Sequence, residues 1–96
     1  MILEKKTVVV TGVGPGLGSE VARVALRDGA NVAIGARNAE RLEKIAAELD
    51  PSGERILASP TDITNPASCE QLMAATGTRF GGIDAVVQVA ALDTLF

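Results

Sequence analysis

The chain has 96 residues, 47% hydrophobic and 22% charged, a globular balance that excludes a disordered segment and leaves room for one domain at most. Aromatic residues make up only 2%, so the core must be aliphatic. A formal net charge of -3 without a basic stripe argues against nucleic-acid binding through phosphates, and one Cys with no His excludes the usual zinc sites and any intrachain disulfide.

The first residues, MILEKKTVVVTG, hold an apolar run too short for a signal peptide, and no stretch approaches the roughly 20 apolar residues of a membrane span. A reducing, cytoplasmic setting is expected, with no membrane partner. Thr7 to Thr11 is a continuous β-branched run, read as a strand buried on both faces. Leu17, Val21, Val24 and Ala25 then recur at helical spacing, and Asp28-Gly29 ends that helix. Asn31 to Ala36 reads as a second buried strand. Asn38 is placed to cap the next helix, whose apolar face is Leu42, Ile45, Ala46 and Leu49. The DPSG run at 50–53 breaks it.

A third short strand centres on Ile56 to Ser59. Asn65 caps a third helix with Pro66 at its first position, running to about Phe80, where Gly81-Gly82 stop it. Cys69, on this helix, reads as a small packing residue. Ile83 to Ala91 is a fourth apolar strand. Strands alternating with helices give a βαβαβαβ order, hence an α/β fold with right-handed crossovers and a parallel sheet.

Between the first strand and first helix lies TGVGPGLG, residues 11–18. Backbone N–H groups at a helix N-terminus are unpaired and the dipole there is positive, which suits a phosphate. Gly12 permits a tight turn, Gly16 close approach of a pyrophosphate to the backbone, and Gly18 close packing of helix on strand. The spacing is not the common Gly-x-Gly-x-x-Gly fingerprint, and no Lys follows as a P-loop requires.

The pattern Thr-Gly-x-x-x-Gly-x-Gly resembles the cofactor loop of the short-chain dehydrogenase/reductase family. The resemblance extends along the chain: GARN (35–38) looks like the end of the family's second strand, TDIT (61–64) like its motif after the third, and IDAVVQVAA (83–91) like its fourth strand, where Gln88-Val89-Ala90-Ala91 replaces Asn-Asn-Ala-Gly. It implies a Rossmann-type three-layer fold with strand order 3-2-1-4. Residues 1–96 then form the N-terminal, cofactor-binding part of a single NAD(P)-binding domain, truncated after the fourth strand.

The implied cofactor-binding residues are Gly12, Gly14, Pro15, Gly16, Leu17 (through its N–H), Gly18, Arg37, Asn38, Asp62, Ile63, Val89, Ala90 and Ala91. Asp62 is expected to accept a hydrogen bond from the adenine amino group. An acidic residue at the end of the second strand would favour NAD, but Arg37 stands there and suits a 2′-phosphate. NADP(H) is therefore expected, with NAD(H) the alternative.

The family's activity is carbonyl reduction or alcohol oxidation by hydride transfer on small molecules, using a Tyr, a Lys four residues later and a Ser. This chain contains no Tyr. The 96 residues alone are expected to be inactive, and the longer protein is expected to be a homodimer or homotetramer. Competing interpretations are a non-catalytic dinucleotide-binding module and, less favoured by Arg37, a methyltransferase binding S-adenosylmethionine.

A parallel sheet ending at the fourth strand would leave a bare apolar edge. The isolated 96-residue polypeptide is expected to be poorly stable or to self-associate. Sedimentation velocity showing a monomer, with a cooperative thermal transition, would contradict this.

Overall fold

The computed structural model describes residues 4–12 and 17–89. Its elements follow in the order β1 (Thr7–Thr11), α1 (Leu17–Arg27), β2 (Asn31–Ala36), α2 (Ala39–Leu49), β3 (Ile56–Pro60), α3 (Pro66–Phe80) and β4 (Ala85–Gln88). The four strands form one sheet in the order β3-β2-β1-β4, every neighbouring pair parallel. Fold class and strand order agree with the sequence expectation.

All five residues of β1 are buried, as its β-branched run implies. Successive side chains point to opposite faces. Val8 and Val10 join Val32 and Ile34 of β2 in a core with Ala22, Ala25 and Leu26 of α1 and Leu42 and Ile45 of α2. Val9 and Ala33 face the other way, onto Leu72 of α3, with Leu57 and Met73 packed beside them. The sheet is thus covered on both faces, thickly by α1 and α2 and thinly by α3. On α3, Thr76 is buried as well and returns its hydroxyl hydrogen bond to Leu72 O at 2.7 Å.

The helix boundaries have local causes. Asn38 Oδ1 accepts the Arg41 N–H at 3.0 Å at the start of α2. Asn65 Oδ1 accepts from Ala67 N and Ser68 N, with Pro66 following. Gly81, at φ 88, ends α3 in the left-handed region and donates to Gly77 O at 2.8 Å. Asp50 holds the loop after α2 by accepting from Ser52 Oγ at 2.6 Å and Arg55 N at 2.9 Å. Arg55 in turn donates to Leu26 O and Ala30 O at the C-terminal end of α1.

Two expectations are corrected. The buried stripe of α1 is Gly18, Ala22, Ala25 and Leu26, whereas Val24 points outward and is 41% exposed. The stripe follows the small residues, which let α1 lie close to the sheet. Strand β4 covers Ala85–Gln88 rather than the full apolar run from Ile83. Its length is set by β1: Val8 to Thr11 pair with Ala85 to Gln88, and β1 offers little more. One step earlier the ladder becomes a clamp. Asp84 N donates to Thr7 O at 2.9 Å, while the Asp84 carboxylate accepts the Thr7 N–H at 2.8 Å. The end of that expected strand, Ala90 and Ala91, lies outside the described residues. β4 is the edge of the described sheet, and Val86 on it is 51% exposed.

Gly35 marks the closest approach of α3. A Cβ there would lie 2.9 Å from Leu72 Cδ2 and 3.0 Å from Thr61 Oγ1. Gly35→Ala is expected to destabilise the protein by about 1–3 kcal/mol through overpacking. Leu72→Ala is expected to cost about 2–5 kcal/mol through loss of packing. Combining them should cost less than the sum, since the truncated leucine frees the space the methyl needs. Denaturant unfolding of the three variants checks this; strict additivity would show that the two positions do not touch.

Candidate functional site

Because the strands are parallel and in near register, they end together. Thr11 is level with Gly35 and Gln88, and Ala36 with Pro60. The residues that follow the four strands, Gly12, Arg37, Thr61 with Asp62, and Val89, therefore share one edge of the sheet. The chain runs outward from β1 to β2 and β3, then returns through α3 to β4 on the far side of β1. The crevice at such a reversal is where open parallel sheets take their ligands.

At the end of β1, Gly12 adopts φ 76, in the left-handed region that favours glycine. Its N–H donates to Gly35 O at 2.7 Å, which fastens the start of the loop to β2. The neighbouring Thr11 Oγ1 is buried with no hydrogen-bond partner among the described residues, a polar atom left at the root of the glycine loop. Leu17 is the first residue of α1, and Gly18 is buried in its first turn. Gly14, Pro15 and Gly16, expected between them, lie outside the described residues, as do Ala90 and Ala91 beyond β4. Val89 continues the ladder, donating to Thr11 O at 3.1 Å, and its side chain is 6% exposed within the core. What Val89 offers at the edge is backbone.

Beyond β2 and β3 the structure brings together two of the expected residues. Arg37 and Asp62 line one depression of ≈ 280 Å³ with Pro60, Thr61 and Ser68. Arg37 Nη2 stands 3.7 Å from Asp62 Oδ1. With side chains 73% and 45% exposed, this pair adds little to stability; its effect is to set charge at the wall. Asp62 is held much more firmly than Arg37. Its Oδ1 accepts from Thr64 N at 2.9 Å and Thr64 Oγ1 at 2.6 Å, and its own N–H donates to Ser68 Oγ at 2.9 Å. Ile63 lies in the same turn, and its carbonyl is 3.8 Å from Cys69 Sγ. Asn38 is exposed and serves as the cap of α2, so its Oδ1 is already engaged.

Sequence reasoning did not single out Thr61 and Ser68. Thr61 is buried, donates N–H to Ala36 O at 2.7 Å, and bonds Ser59 O through its hydroxyl. Ser68 had a legible signal: it sits in the first turn of α3, where a hydroxyl readily takes a stray backbone N–H. Among the described residues, no group of three or more His, Cys, Asp or Glu side chains could hold a metal ion.

The Thr64 hydroxyl and then the Thr64 N–H hold the Asp62 carboxyl below the ordinary aspartate range; desolvation opposes them, and the Arg37 charge adds the smallest lowering effect. A depressed folded-state value means that Asp62 stabilises the loop above the unfolded pKa, and that this is lost as pH falls through the folded value.

The family model for short chain dehydrogenase matches residues 6–95. An uncharacterised oxidoreductase of Staphylococcus aureus (strain USA300) is 35% identical over 89 residues, which are 93% of this chain and 38% of that protein. An alcohol dehydrogenase from the archaeon Thermococcus sibiricus, solved with 5-hydroxy-NADP, is 38% identical with a TM-score of 0.76, covering 84% of this chain and 35% of that one. A 3-ketoacyl-(acyl-carrier-protein) reductase from Brucella melitensis, solved with NADH, is 32% identical with a TM-score of 0.80, covering 88% and 34%. The chain thus spans little more than a third of the length of these relatives. It belongs to the short-chain dehydrogenase family.

A carbon-detected NMR titration of the Asp62 carboxyl is expected to give a midpoint below the ordinary range. Thr64→Ala should raise it more than Arg37→Ala does. The opposite ranking would mean that the ion pair, not the turn, holds the charge.

Proposed function

We propose that this member of the short-chain dehydrogenase family is the nucleotide-binding part of an NADP(H)-dependent oxidoreductase acting on a small carbonyl or alcohol compound. The observation that carries the nucleotide preference is Arg37, an exposed guanidinium directly after β2, lining the depression beside the crevice. Gly12, Gly14, Pro15, Gly16, Leu17 and Gly18 are assigned to the pyrophosphate, through the glycine-rich stretch of sequence after β1 and the N-terminus of α1. The left-handed Gly12 and the Thr11 hydroxyl, without a hydrogen-bond partner among the described residues, fit a backbone shaped around a ligand rather than around its own side chains. Asp62 and Ile63 are assigned to the adenine, Asn38 to the ribose side of the depression, and the backbone of Val89, Ala90 and Ala91 to the nicotinamide side.

The bound nicotinamide supplies or accepts a hydride. The 96 residues hold and orient it, and they contribute no tyrosine to move the accompanying proton. Their lysines are remote from the crevice. Lys5 and Lys6 precede β1 at the opposite edge of the sheet, and Lys44 lies exposed on α2. The Ser, Tyr and Lys that complete the reaction are assigned to chain beyond these residues. No helix among the described residues is long and apolar enough to cross a membrane. A cytoplasmic homo-oligomer belongs to the same proposal.

Fluorescence titration with NADPH and NADH tests the preference. NADPH is expected to bind more tightly, and Arg37→Ala to weaken it about tenfold, the worth of a charge-assisted hydrogen bond, while NADH changes little. Equal loss for both, or no loss, would remove the 2′-phosphate from Arg37.

A further inference from the structure

The depression beside β2 and β3 holds one cation and one anion, and they are not equally free. Among the described residues Arg37 makes no hydrogen bond, and its one ion-pair partner is Asp62. Asp62 is fixed from two sides, by Thr64 on its carboxylate and by Ser68 on its backbone. The two Thr64 bonds oppose any swing of the carboxylate away from the guanidinium when another anion approaches.

We propose that Asp62 is a specificity-determining residue that moderates the preference for a phosphorylated nucleotide, because its carboxylate competes with a 2′-phosphate for Arg37. This rests on the assignment of the depression to the adenosine end of a dinucleotide. A 2′-phosphate seated on Arg37 shares that cation with a fixed negative charge and is repelled by it. A ribose with a free 2′-hydroxyl meets neither effect. Any contact between Asp62 and the adenine is common to both nucleotides and cancels in the ratio of their affinities.

Asp62 could instead favour the phosphate by orienting Arg37. The geometry opposes this. At 3.7 Å the contact is longer than a hydrogen bond, and the guanidinium is mostly exposed, so little orientation is imposed. Competition and repulsion need no close contact, only proximity within the screening length of about 8–10 Å at moderate salt.

The test measures dissociation constants for adenosine 2′,5′-bisphosphate and adenosine 5′-monophosphate by calorimetry. The proteins are wild type, Asp62→Asn, Asp62→Ser, Arg37→Ala and the Arg37→Ala/Asp62→Asn double variant. Asparagine and serine keep an oxygen for Thr64, and agreement between them separates lost charge from a disturbed loop. The bisphosphate-to-monophosphate affinity ratio is expected to rise about two- to fivefold in both Asp62 variants, the range of an exposed ion pair. The rise should shrink at about 1 M salt, where screening falls to roughly 3 Å. In the double variant, compared with Arg37→Ala alone, the rise should be smaller, because only the direct repulsion is left to relieve. A ratio that stays constant or falls in the Asp62 variants, while Arg37→Ala lowers it, overturns the competition and leaves the nucleotide assignment intact. A wild-type ratio near one that Arg37→Ala does not move overturns both.

Discussion

β1 is hydrogen-bonded along both edges, to β2 and to β4, and buried on both faces, so a shift of any of its residues would break two ladders at once. The pairing on both sides is parallel, which means that each neighbour leaves the sheet where β1 leaves it. Gly12, Arg37 and Val89 are far apart along the chain and come to one edge for this reason, and the parallel pairing of β3 with β2 brings Asp62 to the same edge. An antiparallel neighbour would have brought its starting residues there instead.

The polar groups at that edge are engaged in the structure around them. Asp62 anchors the turn before α3 through Thr64 and supplies the negative wall of the depression. Asn38 caps α2 and stands next to Arg37. Gly12 binds the carbonyl of Gly35, whose missing side chain admits Leu72 and Thr61. The left-handed Gly12 and the charge of Asp62 are thus held in place by hydrogen bonds of the segments they occupy.

Much of this was legible in the sequence, because its punctuation is strong. Asn65-Pro66 and Gly81 bound α3, Asn38 begins α2, and the β-branched run at Thr7 to Thr11 can hardly be anything but a buried strand. What escaped depends on partners rather than on local pattern. The apolar run from Ile83 to Ala91 looks like a long strand, yet pairing follows the short β1 beside it. Val24 fits the helical spacing but lies to one side of a stripe centred on Gly18, Ala22 and Ala25. The Arg37–Asp62 contact joins the ends of two adjacent strands. The sequence suggests a role for each residue but does not show that they face one another.

The two faces of the sheet are covered very unequally. Between β1 and the pair α1 and α2 lies a core of many aliphatic side chains, whereas α3 brings mainly Leu72 and Thr76 to the other side. Its ends are tied by polar contacts: Ser68 to Asp62 at one, and Arg79 to the carbonyls of Gly53 and Glu54 at the other. In the language of native-state amide exchange, this layer has less apolar burial opposing its release than the layer of α1 and α2, and its partial opening is expected to cost less than that of β1 and β2. The wall that carries Asp62 belongs to that layer. A nucleotide in the depression would then act as a brace across the weaker layer, raising the free energy of its opening more than that of the sheet behind it.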